Sequence, residues 1–320
     1  MKRARCLPWI LGLLVASACA PGVTSGPSER PALRAPAHVR VRLGASGPVR
    51  QVRFEEYVQG AVLSEFSPGT APPEVASRML QLQAIVARTY AIAHLGRHAR
   101  EGFDLCATTH CQLYAPPRGA ASRWSAAAST AARHTASAVL WFGTSPASAV
   151  YHADCGGHTS AARDVWGGTA AHPYLVAIAD EGAARTAHAS WTFTARAGDL
   201  LAALNKDART RVGRQLSAIA VVQRDAGGRA ALVVLRGERE PLVRGEELRD
   251  VLNRAFGARA IRSTRFSLAR EGNSFVFSGA GYGHGVGLCQ AGALARLRAG
   301  AGPEQVLAQY YPGTRLVRLR

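Results

Sequence analysis

Residues 74–94 constrain this chain more than any other stretch. Apolar side chains recur at Val75, Met79, Leu82, Ile85, Val86 and Ile92, close to the 3.6-residue period of a helix. Pro72-Pro73 precedes the run and Gly96 follows it, the punctuation expected where a helix starts and stops. One long helix is therefore predicted at about 74–94, and it needs other elements to cover its apolar side. His38–Leu43 (HVRVRL) and Val49–Phe54 (VRQVRF) alternate with period two around a Gly-Ala-Ser-Gly turn and read as paired strands. Glu55–Leu63 starts a short helix that Ser67-Pro68-Gly69 breaks. Helix patterns at 124–135, 197–204, 246–255 and 290–299 mix with strand patterns at 138–142, 149–151, 191–195, 216–223, 231–236 and 275–277. Strands and helices do not alternate regularly and no repeat is visible, so the expected class is α+β.

The first residues read as an address rather than as structure. Lys2, Arg3 and Arg5 precede a short apolar run, Leu7–Ala18, that ends in small residues, so 1–18 is read as an export signal peptide. Ala16-Ser17-Ala18 before Cys19 fits an ordinary cleavage site or a lipobox with Cys19 acylated. Residues 19–37, rich in Pro, Ser, Gly and Ala, read as a disordered linker. The expected location is the cell envelope or periplasm, with membrane contact only through a lipid on Cys19. The formal charge is +18, from 39 Lys+Arg against 21 Asp+Glu, and Lys2 and Lys206 are the only lysines. Such an arginine-rich, Ala/Gly-rich composition fits GC-rich coding as well as a polyanionic partner. Export argues against nucleic acid; a wall polymer with peptide carboxylates fits better.

Four segments carry chemistry. In the first, Glu65 stands among Val62, Leu63 and Phe66; burial without a cation raises a carboxyl pKa toward neutrality, as a general acid requires. The bland alternative is a solvated glutamate at a helix end. The second, Asp104–Tyr114, puts Cys106, His110 and Cys111 within six residues. That set can hold Zn²⁺, with His94, His98 or His158 as fourth ligand, while an oxidising compartment favours disulfides among Cys106, Cys111, Cys155 and Cys289. The third, Tyr151–Ser160, holds Cys155-Gly156-Gly157 beside aromatics, a turn suited to sugar; a cysteine nucleophile with His152 or His158 is a weaker reading. The fourth, Gly279–Ala293, sets glycines around His284. It lacks the Lys-Ser/Thr pair of a phosphate loop, so close backbone approach is the better explanation.

Taken in order, these segments resemble the SpoIID/LytB family. The resemblance rests on Glu55–Glu65, Leu82-Gln83-Ala84-Ile85-Val86-Ala87-Arg88-Thr89-Tyr90-Ala91, the Asp104–Tyr114 stretch, Cys155-Gly156-Gly157-His158-Thr159 with a following Trp, Gly281–Ala293 and Tyr310-Tyr311-Pro312-Gly313-Thr314. It covers about 38–320, with 180–275 a less typical strand-rich section. Phe66-Ser67-Pro68 replaces the family's frequent Met-Pro, and Cys289 its commoner Ser. The resemblance implies a SpoIID-like domain with a central groove. It also implies lytic transglycosylase chemistry between N-acetylmuramic acid and N-acetylglucosamine of peptide-stripped strands, with Glu65 as the single acid/base. Arg88, Tyr151, His284 and Gln290 are the expected saccharide-binding or Glu65-orienting groups. No cofactor is required by that chemistry, and a structural zinc at Cys106, His110 and Cys111 is implied. The family's other name, amidase enhancer, implies an alternative: a non-catalytic glycan binder that activates a separate wall amidase. A zinc amidase or peptidase would need an open metal site, which the cysteine-rich set suits poorly.

Overall fold

The computed structural model describes residues 34–116, 122–168, 172–182, 186 and 188–320. The expected leader, Cys19 and the expected linker up to residue 33 lie outside the described residues. Strands and helices mix without regular alternation, which is the α+β class.

The chain opens with β1 (His38–Arg42) and β2 (Val49–Arg53), an antiparallel pair; Val39 and Val41 point inward while His38 and Arg40 stay exposed. Next come α1 (Phe54–Glu65) and α2 (Pro73–Ala93), then β3 (Leu105–Cys106), which joins β1 in parallel, α3 (Ser125–His134) and β4 (Ala138–Phe142). Helix α2 is buried on two sides. Leu80, Ala84, Ala87 and Ala91 enter one core with α1 and β1, while Met79, Leu82, Ile85 and Val86 enter a second with β4. A helix apolar over so much of its circumference is a central spine rather than a surface element.

The second core continues through β5 (Ser145–Pro146), β6 (Tyr151–His152) and α4 (Ala162–Trp166). The chain then builds a third core from one uninterrupted stretch: β7 (Trp191–Arg196), α5 (Ala197–Asn205), β8 (Leu216–Arg224), β9 (Ala230–Gly237), β10 (Leu242–Arg244), α6 (Gly245–Phe256), β11 (Phe266–Glu271) and β12 (Ser274–Gly279). Its strands form two three-stranded sheets, in the orders β10-β9-β8 and β11-β12-β7. The chain returns to the second core with β13 (Leu288–Cys289), α7 (Gln290–Arg298), α8 (Pro303–Tyr310) and β14 (Arg315–Arg318). Strand β13 pairs in parallel with β6, setting Leu288 opposite Tyr151 and Cys289 opposite His152; β14 pairs with β4.

The glycines of 279–287 make this return possible. Gly283 and Gly287 have φ of +106° and +67°, and an added Cβ would meet His152 Cβ at 2.8 Å and the Val150 carbonyl oxygen at 2.2 Å. Only residues without a side chain let this loop lie backbone-to-backbone on residues 150–156.

Candidate active site

Glu65 is the last residue of α1, half-buried. Burial is the dominant influence on its carboxyl and lifts its pKa from 4.5 to about 7, against two opposing donors. The backbone N–H of Leu113 donates to Oε1 at 2.6 Å, and the Tyr151 hydroxyl also hydrogen-bonds the carboxyl. Among the described residues, no second carboxylate is one of the groups that act on it.

The Tyr151 hydroxyl is aimed by a relay. Tyr57 O–H donates to Gln112 Oε1 at 3.0 Å, and Gln112 Nε2 donates to the Tyr151 oxygen at 2.7 Å, leaving the Tyr151 proton for Glu65. Burial pushes the Tyr151 phenol well up, so it remains a donor. His284 holds the same residue from behind. The N–H of Val286 donates to His284 Nδ1 at 3.0 Å, so Nε2 carries the proton and donates to the Tyr151 carbonyl at 3.0 Å. Burial pushes His284 down to about 4, so its imidazole is neutral near pH 7. Gln290, at the start of α7, donates from Nε2 to the Glu65 carbonyl at 3.3 Å and to Gln83 Oε1 at 3.2 Å.

Three of the four expected helper residues, Tyr151, His284 and Gln290, thus gather around Glu65. Arg88 does not. Its guanidinium is fully buried, paired with Glu55 at 2.8 and 2.7 Å and bonded to the carbonyls of Ala84, Ala132 and Ala138. It has no open face for a saccharide and instead locks α1, α2 and α3 together. Gln112, Gln83 and Tyr57 belong to the site but were not expected. Gln112 was visible only as part of a cysteine segment, and Gln83 only as a polar residue inside an apolar helix. Two cavities of about 430 and 490 Å³ lie elsewhere, the first against Gln81, Ile85 and His134, the second against Glu55, Glu56 and Arg133; Glu65 lines neither.

Beside the acid stands a compact donor cluster. One ligand atom from each of His98, Cys106, His110 and Cys111 lies within 4.8 Å of the others. Cys106 Sγ is 3.6 Å and Cys111 Sγ 3.7 Å from His110 Nδ1, and Cys111 Sγ is 3.3 Å from His98 Nε2. The other ring nitrogen of His98 bonds Glu101, the carboxylate-histidine arrangement that orients metal ligands. Both cysteines carry free thiols rather than a disulfide, and the set fits a closed tetrahedral Cys₂His₂ site. Of the three candidate fourth ligands, His98 is the one in place. His94 bonds the Tyr90 carbonyl and Ser148, and His158 bonds the Thr159 carbonyl.

Fold and site define an α+β protein in which the half-buried carboxylic acid Glu65 is held by a tyrosine and a backbone N–H, the tyrosine in turn by a glycine-rich histidine loop. Residues 44–142 match the stage II sporulation protein family, SpoIID, and residues 182–287 match a domain family of unknown function. The chain is 26% identical over 294 residues to stage II sporulation protein D of Bacillus subtilis (strain 168), covering 88% of this chain and 79% of that protein. An uncharacterized protein of Brachyspira hyodysenteriae (strain ATCC 49526 / WA1) is 28% identical over 276 residues, 84% of this chain and 68% of its own length. The amidase enhancer of Bacillus subtilis (strain 168) is 27% identical over 296 residues, 78% of this chain but 39% of the longer relative. The chain is thus similar to proteins named stage II sporulation protein D and amidase enhancer, and its residues 44–142 carry the SpoIID match.

Proposed function

We propose that this chain cuts the glycan strand of peptidoglycan as a lytic transglycosylase, with Glu65 as its proton donor and acceptor. The observation that carries this reading is a lone half-buried carboxyl group with a pKa of about 7, faced by the Leu113 N–H and the Tyr151 hydroxyl. Glycosidases that use water need two carboxyl groups, one for the leaving oxygen and one for water or the sugar. Lytic cleavage needs one. Protonated Glu65 donates to the glycosidic oxygen as its bond to C1 of the muramic acid breaks. The carboxylate left behind, stabilised by the two donors, takes the proton of the C6 hydroxyl. That oxygen closes onto C1, giving the anhydro sugar with no water consumed. An acid titrating near neutrality suits both halves of this exchange.

The same reading places the protein in the envelope, on the strength of the leader pattern at 1–18, and binds it to glycan strands. It includes a structural Zn²⁺ held by His98, Cys106, His110 and Cys111. That ion supplies a cross-link that fixes the segment leading into Gln112 and Leu113, and no chemical step runs through it.

The name of one relative, amidase enhancer, favours a second reading in which the chain grips glycan and stimulates a separate amidase. Digestion of purified, peptide-stripped sacculi with the wild type and with Glu65→Gln, followed by mass spectrometry, decides between them. Anhydromuramyl products that fall at least ~100-fold in the variant support cleavage. Glycan binding without such products from either protein leaves only the enhancer role. Cleaved peptide bonds that vanish on chelation point to a zinc peptidase or amidase instead.

A further inference from the structure

One cysteine precedes the 191–279 segment and another follows it, and the fold brings the two together. Cys155 lies just past β6, and Cys289 ends β13 and caps α7, accepting from the Gly292 N–H. Both are fully buried free thiols. The N–H of Cys155 donates to Cys289 Sγ at 3.2 Å across 134 positions of sequence. The two sulfurs and one ring nitrogen of His152 all lie within 4.8 Å of one another.

Two chemistries compete for such a trio. A closed metal site needs a fourth donor. Asp180 approaches Cys155 Sγ at 3.6 Å, but its oxygens are engaged by Arg296 at 3.1 Å and by the Tyr310 hydroxyl. Among the described residues no other His, Cys, Asp or Glu joins the group. A disulfide needs only the two sulfurs, close enough to bond after a side-chain rotation.

We propose that Cys155 and Cys289 form a disulfide that closes, within the second core, the long loop bearing the 191–279 segment. The oxidant is a small-molecule disulfide of the glutathione class or a protein disulfide of the same reactivity. The thiolate of one cysteine attacks an oxidant sulfur and expels a thiolate. The thiolate of the other then attacks the mixed disulfide and expels the second. Two cysteine S–H bonds and one oxidant S–S bond are exchanged for the Cys155–Cys289 bond and two oxidant thiols. His152 is the nearby proton acceptor: its Nδ1–H donates to the Val286 carbonyl at 3.1 Å, and its buried Nε2 has no partner. Burial of both sulfurs means that exchange proceeds through an opened form, before the segment seats.

The test is independent of catalysis. The full chain is equilibrated with excess oxidised glutathione, denatured in iodoacetamide, digested and analysed by mass spectrometry. The expected result is a linked pair of peptides containing Cys155 and Cys289, two hydrogens lighter than their sum, alkylated only after reduction. Adding a phosphine reductant should then lower Tm by about 5 °C or more in the wild type. Cys289→Ser, which preserves a capping side chain on α7, should show no such fall. Alkylation of both cysteines before reduction overturns the proposal. So does a second equivalent of bound zinc that His152→Ala removes.

Discussion

At the scale of the residue, the decisive contest is between burial and two hydrogen bonds at Glu65. Burial wins and holds the folded carboxyl at about 7 from an ordinary 4.5. Activity that requires the protonated acid is therefore expected to fall as pH rises through about 7, which a pH profile of kcat/KM on solubilised glycan checks. Stability follows the same group. Between pH 4.5 and 7 the folded state binds more protons than the unfolded one, so this glutamate's contribution is full below about 4.5 and is lost as pH rises toward 7. The loss is at most about 3 kcal/mol, reduced by the group's partial exposure. Glu65→Gln should accordingly raise Tm at pH 8 and leave it nearly unchanged at pH 4.5. A Tm that falls equally at both pH values would show that the carboxyl's main role is structural.

At the scale of the element, the long helix shows what sequence does and does not disclose. Its limits, Pro73–Ala93, were readable from prolines, glycine and period, as was the alternation of β1. Its two-sided burial was not, because Ala84, Ala87 and Ala91 are too small to register as an apolar face. The same blindness misassigned Arg88: an arginine in a recognisable motif suggests a ligand contact, yet here it replaces a helix-helix core contact with an ion pair. Arg88→Ala is expected to cost about 3 kcal/mol in urea unfolding, since it strips Glu55 and three buried carbonyls of a donor. Arg88→Lys should recover only part, one ammonium being unable to reach both Glu55 oxygens and those carbonyls. Strand β14 escaped notice because its pairing with β4 is specified from the far end of the chain, where four residues carry little pattern. For the site, Glu65 and the histidine loop were legible through their neighbours. The Tyr57-Gln112-Tyr151 relay was not, because residues 57, 112 and 151 meet only in three dimensions.

At the scale of the whole molecule, α2 is shared by the first two cores, and specific side-chain ties bind the third core to them. Arg229, on β8–β9, is 1% exposed and reaches out of the third core to the carbonyls of Cys155 at 3.0 Å and Gly283 at 3.3 Å. It fills the space that a side chain at Gly285 would need. Arg229→Gln should lower Tm and slow cleavage, while the pH midpoint stays near 7, because Glu65 rests on α1 and Leu113 rather than on the third core. A formal charge of +18 should make sedimentation with isolated sacculi fall as salt rises from about 50 to 500 mM, as screening shortens the reach of exposed arginines.

The third core leaves and rejoins the rest at nearly a single point: Trp191 pairs with Gly279, and the Gly281 N–H meets the His188 carbonyl at 2.8 Å. To the remainder of the protein, some ninety residues occupy the place of a tight turn. Evolution, or an engineer, can exchange such a module wholesale without rebuilding the surroundings of Glu65, provided that the newcomer still offers a cation where Arg229 now reaches across.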